Sequence, residues 1–489
     1  MDANVRCLLE GENAVKVALG KPQMPPHAVG PNHLRGSEKF QKAAHHELDN
    51  VTKRRNLNYA TTTIRVKRQN AVDELDDWQD LRDTGSAVKK DVMSRLPELL
   101  EEFERNVTAR GGHVHWARDS KEANEIIARL IEETGEKNVV KIKSMATQEI
   151  ALNEELEKRG IFAQETDLAE LIVQLGEDFP SHILVPAIHR NRAEIRDIFV
   201  NKMPNTDDTL TSDPSELADA ARSYLREQFM KAKVAISGVN FGIAETGTVS
   251  IVESEGNGRM CLTLPETLIS VMGIEKLLPS FDDLGVFLQL LPRSSTAERM
   301  NPYTSLWTGV TEGDGPKNFH IVLLDNGRTA AMSNEIGREA LKCIRCSACL
   351  NVCPVYERAG GHSYGSTYPG PIGAILTPQL TGIDSASDPN SSLPFASSLC
   401  GRCNEVCPVK IPITDILLEL RYQKAKNEPT RWEQTAFSAI SLLWGKPALW
   451  NRAVRMVALG RVLGGFNGTI DTMPPPLSGW TQSVSYTHL

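Results

Sequence analysis

Apolar positions along this chain recur with two periods. Spacings of three and four residues mark helices over 37–51, 89–110, 147–158, 167–175 and 192–203. The second of these closes at Gly111 and Gly112, where a chain leaving a helix favours glycine. Asp119 and Glu122 stand at the spacing of a capping box, which predicts a helix running to Thr134. Short apolar and β-branched runs between the helices predict strands at 113–116, 139–142, 161–163 and 182–185. Such alternation from about 87 to 330 predicts a parallel sheet covered by helices. Glycine and β-branched residues then dominate 234–255, which predicts strands around a tight turn. A buried strand FHIVLL at 319–324 ends at the turn Asp325-Asn326-Gly327.

The pattern divides the chain into four parts: a helical arm over 1–80, an α/β domain over 81–330, a mainly helical unit over 335–425 and a Trp-rich helical region over 426–489. In the third part, 360–394 is rich in Gly, Pro and Ser and reads as a loop, and Thr414 is placed to cap a helix through ILLELRYQKAK. Residues 437–465 mix Leu, Ile, Val and Trp with Lys446, Arg452, Arg455 and Arg461. That is an amphipathic basic pattern, expected to dock on a partner or on the third part, with at most peripheral membrane contact.

Composition narrows the classes. At 489 residues the chain is too long for one ordinary core, and 40% hydrophobic with 24% charged residues is globular rather than disordered or fibrous. A net charge of −8 argues against a nucleic-acid partner. The basic stretch Lys53, Arg54, Arg55, Arg65, Lys67 and Arg68 therefore reads as an arm packed on the body or on a partner. No window is apolar enough to span a bilayer, and the amino terminus lacks a secretory pattern, so a cytoplasmic protein is expected.

The cysteines carry the chemistry. Two of the nine, Cys7 and Cys261, stand alone. The others form Cys343-x2-Cys346-x2-Cys349-x3-Cys353-Pro and Cys400-x2-Cys403-x3-Cys407-Pro. The first is the bacterial ferredoxin run, whose fourth thiolate binds the other cluster. Two-residue gaps let a short loop wrap a cubane with its backbone N–H groups turned to the sulfur. The second run matches the last three positions of the first, and Ser397 stands where an eighth cysteine would be. Crossed ligation then assigns Cys343, Cys346, Cys349 and Cys407 to one [4Fe–4S] cluster, and Cys353, Cys400 and Cys403 to a second. The incomplete site leaves three options: oxygen ligation by Ser397, a water or small molecule, or a three-iron cluster on oxidation. One thiolate fewer predicts the more labile, higher-potential site. Zinc would prefer separated Cys-x2-Cys pairs with four ligands each.

Other candidates are weaker. Lys141, Lys143 and Ser144 stand where a strand should end, the ligand-binding edge of open α/β sheets. Gly238, Gly242 and Gly247 punctuate a loop better read as a structural turn, and Glu245, Glu253 and Glu255 beside it read first as solvated carboxylates. His182 and His189 read as hydrogen-bonded core histidines rather than metal ligands. No P-loop or dinucleotide fingerprint is present.

Several stretches resemble one family: VVKIKSM, ETDLAELI, FGIAETGTVSIVESEGNGR, YTSLWTG, LLDNGR, CIRCSACLNVCPVY, YPGPIGAILTP and SLCGRCNEVCPVKIP. Together with the seven-cysteine pattern they are similar to the lactate utilisation protein B family over about 35–480. The resemblance implies a LUD α/β domain, similar to sugar-phosphate isomerases and CoA-transferases, followed by a ferredoxin-type domain with two [4Fe–4S] clusters. It implies an electron-transfer subunit that works with two others to oxidise L-lactate to pyruvate, its small 2-hydroxy acid substrate reached through the complex. It implies no catalytic residues. Alternatives are the equivalent subunit for glycolate or another 2-hydroxy acid, a LUD-fold ligand-binding or transferase enzyme with sensory clusters, and a zinc-bearing scaffold. The closing SVSYTHL departs from the family's tail, which continues past GWT with basic and acidic residues.

Overall fold

A computed structural model describes residues 25–204, 206–383, 385, 387–427 and 431–457. The chain forms one compact unit up to Arg421 and a second from Tyr422. Cys7 and the SVSYTHL tail lie outside the described residues.

The described residues of the first unit contain ten strands: β1 (His113–Ala117), β2 (Asn138–Lys141), β3 (Phe162–Glu165), β4 (Val234–Gly238), β5 (Phe241–Ile243), β6 (Thr248–Glu253), β7 (Thr267–Gly273), β8 (Leu277–Leu278), β9 (Tyr303–Trp307) and β10 (Asn318–Leu324). Six form an all-parallel sheet in the order β1-β10-β7-β4-β2-β3, as the alternation predicts. The period of two decides its faces. In β10, Val322 and Leu324 pack with Ile127 and Ile131 of the helix Ser120–Glu132, while Phe319, Ile321 and Leu323 join the larger core on the other side. A second, mixed sheet runs β8-β5-β6-β9. The chain steps outward from β2 to β3, then returns across β2 to place β4 on its other flank. The strand order reverses between β2 and β4, and a crevice opens there beyond the strand ends.

Several expectations are corrected. Residues 182–185 are not a strand: the His182 ring Nδ1 accepts from the backbone N–H groups of Leu184 and Val185, at 3.0 Å each, and winds the segment into turns. The helix expected over 89–110 is two, Trp78–Ser94 and Leu96–Ala109, divided at Arg95, which leaves helical geometry, with Pro97 in the first turn of the second, where proline is tolerated. That over 147–158 is also two, Met145–Glu149 and Leu152–Glu157, divided by Ala151 in the left-handed region. The loop expected over 360–394 contains the helix Gly370–Thr381, every residue of which is buried; Pro371 sits in its first turn, where a missing N–H costs nothing. Thr414 lies inside the helix Ile413–Asn427 rather than capping it, and Asn404 Oδ1 accepts its N–H instead.

The basic stretch lies on one long helix, Val51–Asp73, that packs on the cysteine-bearing segment. Lys53 is buried against Glu47 and His362, and Arg68 donates to the carbonyl of Val406. The second unit pairs the helices Arg431–Trp444 and Pro447–Val457, with Trp444 and Trp450 edge to face at 6.2 Å. Among the described residues no helix is long and apolar enough to cross a membrane.

Candidate metal centre and the cavity beside it

Local backbone geometry at the cysteines is unusual. Arg345, Ser347, Leu399 and Lys410 all have positive φ without being glycine, a conformation retained where the surroundings enforce it. The result is a set of N–H groups turned to sulfur. Arg345 N–H meets Cys343 Sγ at 3.4 Å, Tyr356 N–H meets Cys353 Sγ at 3.5 Å, and Ile411 N–H meets Cys407 Sγ at 3.3 Å.

The thiols fall into two groups. Cys343, Cys346, Cys349 and Cys407 line one small space, with Ile183, Ile344, Ile372, Val409, Ile411 and Ile413 among its other walls. No histidine or carboxylate lines that space. Cys353, Cys400 and Cys403 act on one another electrostatically, and Cys400 is the exposed member. Burial and the neighbouring sulfurs push Cys346 and Cys403 up to about 12. Closely grouped thiols of which six are buried suit a cationic centre, and an all-sulfur donor set with N–H support suits iron–sulfur chemistry. Arg68, Arg82 and Arg345 stand around the first group, each interacting with one or more of its sulfurs.

The other residues singled out from the sequence have these surroundings. Ser397 is adjacent in sequence, but its Oγ accepts from the backbone N–H of Leu399 at 3.1 Å. Cys261 sits fully buried against Thr166 at 3.6 Å, pushed up to about 12 by burial, and none of the seven thiols acts on it. Tyr364, which sequence reasoning missed, is a buried phenol whose hydroxyl has no hydrogen-bond partner. Burial and the neighbouring Cys353 hold its proton on, with Cys349 and Cys403 adding to the effect. His182 lies between Asn351 and the turn described above, and His189 bridges Ser181 and Asp178. Asp178, His189 and His362 converge, yet Lys53 and Arg190 already supply the positive charge there.

A larger cavity of about 350 Å³ opens at the carboxyl ends of β2, β4 and β7, where the strand order reverses. Lys143 and Ser144 follow β2 into it, Gly238 ends β4 there, and Glu253 and Glu255 close the side after β6. Lys141 does not take part, being buried in an ion pair with Glu165. Gly242 packs on Met272, Gly247 turns tightly against Asn106 and Val107, and Glu245 is exposed, as a structural turn requires. Glu255 keeps a solvent-facing edge, but the protein around it and the Asp167 carboxylate push it up to about 7.

Sequence reasoning found neither Lys276 nor Arg345, the cations of the opposite wall. Arg345 stacks 4.7 Å from the Tyr368 ring centroid, donates to Cys343 O and Glu275, and leaves its buried Nε without a partner. Glu275 is shared with Arg328, which also holds Glu149 through two bonds of 2.9 and 3.0 Å, and Tyr368 donates to Glu149 at 2.6 Å. The two spaces share Ile183 and Arg345 as wall residues.

Comparison with known proteins agrees with this division. Residues 100–324 match the LUD domain model, and residues 339–411 match the 4Fe-4S dicluster domain model. The protein is thus an α/β LUD protein joined to an iron–sulfur dicluster module. Lactate utilization protein B of Bacillus subtilis is 41% identical over 453 residues, covering 91% of this chain and 93% of its own. The protein of that name from Macrococcus caseolyticus is 43% identical over 462 residues, covering 92% and 94%. The chain belongs to the lactate utilization protein B family. A solved DUF162 family protein from Deinococcus radiodurans aligns with 47% of this chain and 98% of its own at a TM-score of 0.27 and 12% identity, too slight a likeness to argue from.

Proposed function

We propose that the chain is the iron–sulfur electron-transfer subunit of a system that oxidises L-lactate to pyruvate, working with two further subunits. Cys343, Cys346, Cys349 and Cys407 hold one [4Fe–4S] cluster in this reading, and Cys353, Cys400 and Cys403 hold the second. The observation that carries it is the crossed grouping: Cys407 of the second run lines one space with three cysteines of the first, while Cys353 goes with Cys400 and Cys403. When bound, such clusters take up and release single electrons. The residues of this chain do the rest. N–H groups on Arg345 and Ile411 offset sulfur charge. Arg68 and Arg82 hold the loop of the second run by donating to the carbonyls of Val406, Cys407 and Asn404. The name shared by the relatives supports lactate as the substrate of the system.

Anaerobic purification with iron, sulfide and EPR analysis of one sample tests the reading. About seven to eight irons per chain, with a cubane signal on reduction, are expected. Zinc without sulfide would overturn it.

A further inference from the structure

We propose that His115 and His320, with His113 beside them, form a site for a divalent transition-metal ion such as zinc, which clips the edge strand β1 to β10.

The strand pattern brings these residues together. Side chains alternate along a strand, so His113, His115 and Ala117 share one face of β1, and His320, Val322 and Leu324 share one face of β10. Ala117, Val322 and Leu324 pack in the smaller core with the helix Ser120–Glu132. The three histidines therefore lie on that side of the sheet, near the amino ends of both strands. His113 stands opposite His320 in the parallel register. β1 ends the sheet, and β10 is its one strand neighbour among the described residues.

The ring positions suit a metal. His115 Nε2 lies 3.2 Å from His320 Nδ1. Two imidazole nitrogens bound to one tetrahedral zinc, each at about 2.0–2.1 Å, stand about 3.3 Å apart. The His113 ring stacks on that of His320 with centroids 5.1 Å apart, and its exposure leaves it room to turn in as a third ligand. Apart from the contact between His115 and His320, the three rings make no hydrogen bond to any described residue. Asp178, His189 and His362 converge as well, but there the rings are already bonded to Ser181, Asp178, Lys53 and the Phe179 carbonyl.

Charge sets the class of ion. Two charged groups act on the three histidines, Arg129 and Glu133, both from the last turn of the helix Ser120–Glu132 or its cap. They pair with each other at 3.2 Å, and each is more than half exposed. Arg129 is the opposing charge, and its exposure lets it swing to solvent while Glu133 stays. The carboxyl end of a helix also favours a cation. Imidazole nitrogen with one carboxylate and water suits zinc, nickel or copper, whereas calcium and magnesium take oxygen.

The test does not depend on the electron-carrier reading. Cluster-loaded full-length protein is dialysed against Zn²⁺, and zinc, iron and sulfide are measured on the same sample. Saturable uptake of a single zinc ion per chain is expected, with iron and sulfide unchanged. Zinc-edge X-ray absorption should show nitrogen and oxygen at about 2.0–2.1 Å and no sulfur. His115→Gln and His320→Gln should each weaken binding at least tenfold. Arg129→Gln should tighten it, a gain that misfolding does not produce. Zinc should raise the unfolding midpoint of wild type and leave that of His320→Gln unchanged. No uptake by protein with intact clusters would overturn the proposal and leave a hydrogen bond between neutral rings. A sulfur shell at about 2.3 Å, or an unchanged affinity in His320→Gln, would overturn it too.

Discussion

Replacing Arg328 with methionine removes the centre of a buried ion network. Its side chain is 1% exposed, as is that of Glu275, and that of Glu149 is 0% exposed. The variant keeps the aliphatic volume but strands two carboxylates. Glu149 retains the Tyr368 hydroxyl and the Asn326 amide, and Glu275 retains Arg345. Breaking one buried pair typically costs about 3–5 kcal/mol, because the remaining charge is desolvated without compensation. The retained partners argue for that range rather than twice it. A loss of that size is a large share of the ~5–15 kcal/mol that holds a folded domain. Arg95→Met is the control, since Arg95 pairs with Asp91 at an exposed junction between two helices and such pairs contribute about 0–1 kcal/mol.

The assay is anaerobic denaturant unfolding of cluster-loaded protein, followed by far-UV circular dichroism. Acid adds a second signature. Burial alone would raise Glu275, but Arg328 and Arg345 more than offset it and hold the carboxyl down to about 2. A depressed carboxyl contributes stability that is full above its unfolded value, about 4.3, and is lost as pH falls through the folded one. The gap between wild type and Arg328→Met should therefore be widest near neutrality and narrow from about pH 4 to pH 2. A loss no larger than that of Arg95→Met, or a gap independent of acid, would refute the reasoning.

Four shorter predictions follow from other residues. Glu170 is buried and pushed up to about 8 by burial and by Glu165; a raised carboxyl favours the folded state at low pH and loses that advantage as pH rises from about 4.3 to 8. Glu170→Gln should thus gain on wild type by up to about 1.4 kcal/mol per pH unit across that window, read by denaturant unfolding at pH 5, 6.5 and 8. Because Cys400 is exposed, controlled air oxidation should produce a three-iron EPR signal; Cys403→Ser should abolish it while a cubane signal remains, and a signal unchanged in that variant would place the weak site elsewhere. Tyr364→Phe deletes a buried hydroxyl with no hydrogen-bond partner among the described residues, in the field of Cys353, Cys349 and Cys403, and a sulfur of the loaded site is its expected acceptor. It should lower the midpoint potential of one cluster at unchanged iron content, since hydrogen bonds to sulfur favour the reduced form. A Cβ at Gly361 would lie 1.8 Å from the carbonyl oxygen of Ser181, so Gly361→Ala should cost about 1–3 kcal/mol in thermal or denaturant unfolding.

How far the chain could be read depended on how local each signal was. The cysteine spacing is local, and it carried the crossed grouping. β10 was legible because FHIVLL alternates between two cores. β7, equally central, was missed: TLISVMG is buried along its whole length, and a short apolar run does not distinguish a strand from a buried helix. The helix Val51–Asp73 was hidden because the face it buries includes Lys53, Thr61 and Arg68, polar groups that each take a partner hundreds of positions away. Glycine and proline in 370–381 gave the opposite error, since they allow close packing as readily as they break a helix. At the cavity, Lys143 and Ser144 were visible as a strand end. Lys276 and Arg345 were not, because nothing in their neighbours says that folding brings both to one wall beside Glu275.

The two matched segments, 100–324 and 339–411, are separate in sequence, yet the structure does not treat them as modules on a tether. A carrier that swings between partners needs a weak, wet boundary. Here the boundary is crossed by Glu149 and Glu275 on one side and Arg345 and Tyr368 on the other, with Arg328 of the connecting stretch between them, all within bonding or stacking distance. Buried ion networks add little net stability over apolar packing, so stability alone does not account for one at this position. What the network does fix is one guanidinium: Arg345 is held by a backbone carbonyl, a carboxylate and an aromatic face, on a residue with φ of 63°. That residue walls the sheet-end cavity and the first cysteine space together. An arrangement that holds the shared wall from three sides fixes the two spaces relative to each other, which supports the proposed electron-carrier reading over one that needs domain motion.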